Sequence, residues 1–236
     1  IVSETRGEDA NDVYLLNAKT GDMAPLLQPK VAANFSDFQW LADGSGFYLA
    51  TNQGREFNAV AFYDLASGQL RTLFATDADA DNVKLAGGGD LLLWTTNEEG
   101  YSKLQGVDLV TQQPMRLPKL PAGVYDIDVS TTGEVVSVNL NGPGTPGDVY
   151  VWSIGTPEQV DRIFAASIGG LDPSTFVTPI SLNYPAQDGV QLQGLLYLPD
   201  AEIFAGKRPV VVQIHGGPTA QSRPGFRPVE QYLVNR

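Results

Sequence analysis

The residues best placed to do chemistry lie near the end of the chain, in His215-Gly216-Gly217-Pro218. None of the four is a nucleophile, so what the stretch offers is main chain. Two glycines leave backbone N–H groups with no Cβ to hold a substrate carbonyl away. Such N–H groups, aimed at the oxygen that turns negative in acyl transfer, stabilise the tetrahedral intermediate. His215 would fix the loop by hydrogen bonds, and Pro218 would stiffen its far side. The residues alone leave a second reading open, because Gly-Gly-Pro after a strand is also an ordinary turn.

Such a loop needs elements on both sides to hold it. Pro209 to Ile214 is an apolar run with three consecutive valines and no polar alternation. It predicts a strand covered on both faces, as in a parallel sheet. After the loop, Val229 to Arg236 has helical spacing, and Pro228 falls where a first helical turn tolerates proline. Phe226, Val229 and Leu233 predict one apolar stripe. Upstream, Phe176 to Tyr184 and Val190 to Leu198 are strand-like runs joined by Pro185-Ala186-Gln187-Asp188-Gly189. Asp-Gly between apolar runs predicts a hairpin. Ala165 to Ser174, small and turn-rich, reads as a linker.

Everything before that linker repeats. β-rich runs reach a turn at Asn17, Asp64, Asp108 and Ser153, spaced 47, 44 and 45 residues apart. A second marker, Gly46, Gly89 and Gly133, opens strands at spacings of 43 and 44. A period near 45 built of four short strands is the pattern of a β-propeller blade. Blades are predicted over Phe35 to Phe74, Val83 to Leu117 and Val124 to Phe164, with part of an earlier blade before Gln28.

Composition narrows the partners. The net charge of −12 argues against nucleic acid or an anionic membrane. No apolar run reaches the ~18 residues of a spanning helix. There is no cysteine, hence no disulfide and no thiolate site. Asp77, Asp79 and Asp81 alternate like a calcium loop, but Asn82 and Gly88 stand where its glycine and glutamate belong, so a solvated turn is expected there and no metal; no nucleotide-binding motif calls for another cofactor. Glu98-Glu99 could grip a substrate amine but falls where each blade has a polar turn. Trp40, Trp94 and Trp152 read as packing between blades.

Taken in order, the propeller, TPISLNYPAQDGVQLQGLLYLP (178–199), KRPVVVQIHGGPTAQ (207–221) and FRPVEQYLVNR (226–236) resemble the prolyl oligopeptidase family of serine peptidases. The HGGP form is similar to the acylaminoacyl-peptidase branch, whereas prolyl oligopeptidase proper and the dipeptidyl peptidases related to dipeptidyl peptidase IV carry tyrosine in place of His215. The resemblance implies a mainly β fold. The end of a propeller would span 1–166 and a linker 167–176, and 177–236 would begin an α/β-hydrolase domain with its first strands. It also implies a Ser-His-Asp acyl-enzyme mechanism, a peptide substrate and a propeller that admits only short peptides. In this fold the triad runs Ser, Asp, His on later elements. His215, the only histidine, precedes any nucleophile and is not the triad base. The resemblance favours Gly217 over Gly216 as the oxyanion donor. The start at Ile1 and the unfinished helix at Arg236 lead us to expect a longer protein, or a second copy completing the sheet. Two other functions fit less of the pattern: a propeller binding module without chemistry, and a lipase or esterase.

Overall fold

The computed structural model describes residues 1–217 and 219–236. Its strands form antiparallel sheets in chain order. The first holds β1 (Val2–Thr5), β2 (Asn11–Leu16) and β3 (Met23–Leu27). The second, in order, is β4 (Phe35–Trp40), β5 (Gly46–Thr51), β6 (Ala59–Asp64) and β7 (Gln69–Phe74). The third comprises β8 (Ala80–Ala86), β9 (Leu91–Glu98) and β10 (Tyr101–Asp108). The fourth comprises β11 (Val124–Val129), β12 (Val135–Gly142), β13 (Thr145–Ser153) and β14 (Val160–Phe164). A two-stranded hairpin comes next, β15 (Ile180–Pro185) with β16 (Gln191–Leu196), and then one helix, α1 (Pro228–Val234). The fold is therefore mainly β, a partial propeller of four-stranded blades, as the repeat predicts.

The predicted blade over Val83 to Leu117 differs in detail. Its sheet starts at Ala80, and in place of a fourth strand there is one isolated bridge, Val107 to Pro114. Pro114, Pro118 and Pro121 explain this, since a proline has no N–H to give to a ladder.

The chain folds as two compact units: Ile1–Glu98, Lys103–Leu117 and Ile127–Val136 in one, and Glu99–Ser102, Pro118–Asp126 and Ser137–Arg236 in the other. The first unit is built on inward-facing strand residues. Val13, Phe35, Phe47 and Leu49 are buried together, and Phe47 stacks on Tyr63 at 5.3 Å. Ala50, Val60, Val83, Leu92 and Trp94 make a second cluster. Fully burying one such large side chain contributes about 1.5–3 kcal/mol. Trp94 of β9 stacks on Phe74 of β7 at 4.9 Å, so it packs between two sheets as expected. Trp152 is also buried. Trp40 is 37% exposed and packs instead on Phe47, its cross-strand partner in the same sheet. Gly46 must be glycine: a Cβ there would lie 2.4 Å from the Tyr63 carbonyl oxygen.

Asn17, Asp64 and Asp108, three of the four turn residues that mark the repeat, share one device, whereas at Ser153 the main-chain carbonyl accepts from the Thr156 N–H. Asn17 Oδ1 accepts from the N–H groups of Lys19 and Thr20. Asp64 Oδ1 accepts from the Ser67 N–H and hydroxyl, both at 2.7 Å. Asp108 Oδ1 accepts from the Val110 and Thr111 N–H groups. A short polar side chain thus closes each of these three hairpins.

A second repeated device was not legible as a motif. Asn11, Asn58, Ser102 and Asp148, each five or six residues before a turn marker, bond the backbone that leaves their own sheet. Asn11 Oδ1 accepts from the Phe35 N–H and its Nδ2 donates to the Phe35 carbonyl, at 2.8 and 2.9 Å. The Asn58 N–H donates to Asp79 Oδ1, and the Asn58 carbonyl accepts from Ala80. Asp79, expected in a solvated turn, is therefore part of this clip. Ser102 Oγ accepts from the Tyr125 N–H at 3.0 Å, and Asp148 Oδ1 from the Ala166 N–H at 3.0 Å. Each bond gives a partner to a backbone group that would otherwise be orphaned between sheets.

The turn carboxylates make stability depend on acidity. The Ser67 hydroxyl, helped by the Ser67 N–H, holds the Asp64 carboxyl below its ordinary value, and the Thr111 N–H does the same to Asp108. A carboxylate with a depressed folded pKa stabilises above its unfolded pKa, and the contribution is lost as pH falls through the folded value. Melting temperature should therefore be insensitive to these groups near neutrality and fall below about pH 4. Asp64→Asn with Asp108→Asn keeps the acceptors but not the titration, and should flatten that fall in a pH series of thermal melts.

Candidate functional site

The second unit carries the loop and the segments that hold it. Asp148, almost fully buried, binds the Ala166 N–H through Oδ1 and Arg162 Nη1 through Oδ2 at 3.1 Å, fixing the chain as it leaves β14. Beyond it lies a short 3-10 turn at Pro173–Thr175, started by the Asp172 side chain on the Ser174 N–H. The Asp188-Gly189 hairpin forms as predicted, with Gly189 N–H donating to the Ala186 carbonyl and Val190 N–H to Asp188 Oδ1.

The run Pro209 to Ile214 does not form the expected covered strand. It has no ladder partner among the described residues, and Val210, Val211, Val212 and Ile214 are 70–84% exposed. Apolar composition predicts a buried strand only where a neighbouring strand completes the ladder. The expected helix spans Pro228–Val234, with Pro228 in its first turn. Its buried face is Gln231 and Val234, whereas Val229 and Leu233 of the predicted stripe stand out. They line, with Val211, Val212, Gln213 and Phe226, a groove of about 500 Å³.

His215, Gly216 and Gly217 are exposed. His215 Nδ1 lies 3.0 Å from the Gly216 carbonyl, which can only accept, so the Nδ1 atom carries the proton. Gly216 faces open space. Gly217 has φ +102°, a conformation that disfavours any side chain, and a Cβ there would lie 3.2 Å from the Ala220 Cβ. Pro218 lies outside the described residues.

Sequence reasoning missed the three residues that anchor the chain beyond the glycine loop. Gln231, 4% exposed, accepts from the Val177 N–H and donates to the Val177 carbonyl, both at 2.8 Å, and also donates to the Pro143 carbonyl. Its amide imitates a strand partner for Val177. Arg223 donates from Nε to the Gly100 carbonyl at 2.8 Å and from Nη2 to Ser102 Oγ at 3.0 Å. Asn141 Oδ1 accepts from the Phe226 N–H, and the Phe226 ring meets Phe176 edge-on at 5.1 Å. Spacing gave no signal for Gln231, which lies opposite the apolar stripe with Arg227 and Asn235 one turn away. Nearby, burial pushes the Tyr197 phenol pKa up, with Arg227 acting against it. Glu98, half of the candidate acidic pair, is engaged with Lys103 and Thr96.

The fold can be compared with solved structures. A puromycin-hydrolyzing peptidase of Mycobacterium tuberculosis aligns over 97% of this chain with a TM-score of 0.78 at 15% identity. A puromycin hydrolase aligns over 95% with a TM-score of 0.75 at 18% identity. Prolyl oligopeptidase B from Galerina marginata aligns over 81% with a TM-score of 0.67 at 17% identity. Over the part it spans, the chain has the fold of prolyl oligopeptidase-family structures. It spans 28 to 36% of the length of these three proteins. No protein-family model and no curated relative matches the sequence.

Gln231 gives a direct test of how this unit holds together. Gln231→Leu leaves the Val177 N–H and carbonyl and the Pro143 carbonyl without their side-chain partner. It should cost about 1–3 kcal/mol of stability in denaturant unfolding, and hydrogen exchange at Val177 should speed up.

Proposed function

We propose that this chain is part of a serine peptidase of the prolyl oligopeptidase type, with the HGGP loop supplying an oxyanion-hole N–H from Gly217. One observation carries the proposal: propeller sheets run directly into the Asp-Gly hairpin, the glycine loop and a helix, in a fold that matches two puromycin-hydrolysing enzymes over 95–97% of the chain. A propeller that only binds ligands has no use for that second part. The substrate class is the amide of an amino acid or short peptide, as the two puromycin hydrolases suggest.

In this reading a serine supplied outside residues 1–236 attacks the scissile carbonyl. A histidine takes its proton and passes it to the leaving amine, and water then releases the acyl group. The negative oxygen of the intermediate accepts from the Gly217 N–H. Two features support that role: the positive φ of Gly217 and the open face at Gly216. His215, whose Nδ1–H donates to the Gly216 carbonyl, holds the loop and transfers no proton in the reaction. The propeller limits entry to short peptides.

Residues 1–236 alone should hydrolyse neither aminoacyl nor acylaminoacyl amides. Turnover by that purified polypeptide, abolished by a fluorophosphonate, would refute the assignment.

In the full-length enzyme, Gly217→Val should lower kcat about 10²–10³-fold, the cost of one oxyanion donor. KM should change little and melting temperature should fall only modestly, the cost of a side chain at a positive φ in an exposed loop. His215→Ala should slow the enzyme and loosen the loop yet keep the basic limb of the pH–rate profile. An unchanged kcat in Gly217→Val, or loss of that limb in His215→Ala, would remove the oxyanion role.

A further inference from the structure

The glycine loop runs on into a segment held by turns of the propeller sheets. Its tip makes the His215–Gly216 contact, and Gly216 faces open space. The run before it, Val210 to Ile214, is exposed and outside any ladder among the described residues. After the loop, Arg223 and Phe226, six and nine residues beyond Gly217, are each held by hydrogen bonds to distant residues.

Both attachments end on turns of the propeller sheets. Arg223 reaches Gly100 and Ser102, at the turn between β9 and β10. Its neighbour Pro224 is buried so close to Gly100 that a Cβ on Gly100 would lie 2.9 Å from the Pro224 Cδ. Asn141, at the end of β12, takes the Phe226 N–H at 2.6 Å. Its amide also packs on Gly225, where an added Cβ would come within 3.1–3.2 Å of it. Ser102 Oγ therefore serves two purposes: it accepts from Tyr125, clipping one sheet to the next strand, and it accepts from Arg223. A hydroxyl oxygen has two lone pairs and can take both.

We infer that Arg223, with Asn141 beside it, is a positioning residue for acyl transfer: the propeller turns place the Gly217 N–H through the segment 219–226. This rests on the oxyanion role proposed above. Six residues span at most about 20 Å, so the anchor limits where the loop can lie. An oxyanion donor must be placed within about 0.5 Å, and a misplacement of about 1 Å from a distant change can cost 10²-fold. The propeller is then part of the apparatus that aligns the reacting carbonyl, in addition to covering the site. The effect belongs on kcat, because the hydrogen bond to the oxygen matters most once the charge develops.

The test uses the full-length enzyme and a chromogenic aminoacyl amide. Arg223→Met should lower kcat about 10- to 10²-fold with KM within about twofold. Arg223→Lys, which keeps a donor for one acceptor, should recover part of the loss. Asn141→Leu is the second variant, should Arg223→Met fail to fold, and should move kcat the same way, with Asn141→Asp recovering it. Asn11→Ala is the control: it loses two bonds from the first sheet to the Phe35 backbone of the second and should lower melting temperature with kcat unchanged. If Arg223→Met and Asn141→Leu lose melting temperature as Asn11→Ala does and keep kcat, the inference is overturned while the peptidase reading stands. If the wild-type enzyme takes up no fluorophosphonate and cleaves no amide, the peptidase reading itself has failed and this inference with it.

Discussion

A chain that leaves one sheet to start the next exposes backbone amides that neither sheet can pair. This constraint shapes the whole molecule. Asn11, Ser102 and Asp148 meet it with their side chains, and Asn58 with its main chain and the Asp79 carboxylate, at the same point of successive sheets, six or five residues before the hairpin turn. An unpaired buried backbone group costs about 1–3 kcal/mol, comparable with burying one large side chain. The apolar stacks of Phe47 on Tyr63 and Trp94 on Phe74 supply area. The polar clips decide where each sheet must hand over to the next.

The same solution recurs where the repeat ends. Asp148 grips Ala166, which follows β14 and belongs to no further strand. Gln231 then does for Val177 what Asn11 does for Phe35: one side-chain amide meets both an N–H and a carbonyl of a single residue. By this means a short helix of Pro228–Val234 is fixed despite having only two buried residues. Isolated helices of this length are unstable in water, so its order comes from Gln231, Val234 and the Phe226–Phe176 contact.

The repeat was legible because its turn chemistry is local. Asn17, Asp64 and Asp108 close hairpins with their own side chains, and spacing alone reveals them. The Asp-Gly hairpin was legible for the same reason. Less visible were Arg223, Asn141 and Gln231, whose partners lie 54 to 123 residues away. The valine run at Val210–Val212 forms no strand within these residues, because composition reports how well a residue suits burial and says nothing of whether a partner strand lies beside it. The Phe226, Val229 and Leu233 stripe lines one groove as helical spacing implies, while the opposite face turns a glutamine inward to pair backbone groups.

By itself the sequence determined the period, the turn residues, the hairpin and the glycine loop with no side chain in the way. Each depends on residues within a few positions of one another, where local sterics and short hydrogen bonds dominate. The tertiary structure alone decided which faces are covered and what holds the loop. Those outcomes depend on pairing distant backbone groups, and an unpaired amide can be satisfied by any suitable side chain that the fold brings near it. Arg223 on Gly100 and Ser102 is such a case, an ordinary arginine in the sequence and an anchor in the fold.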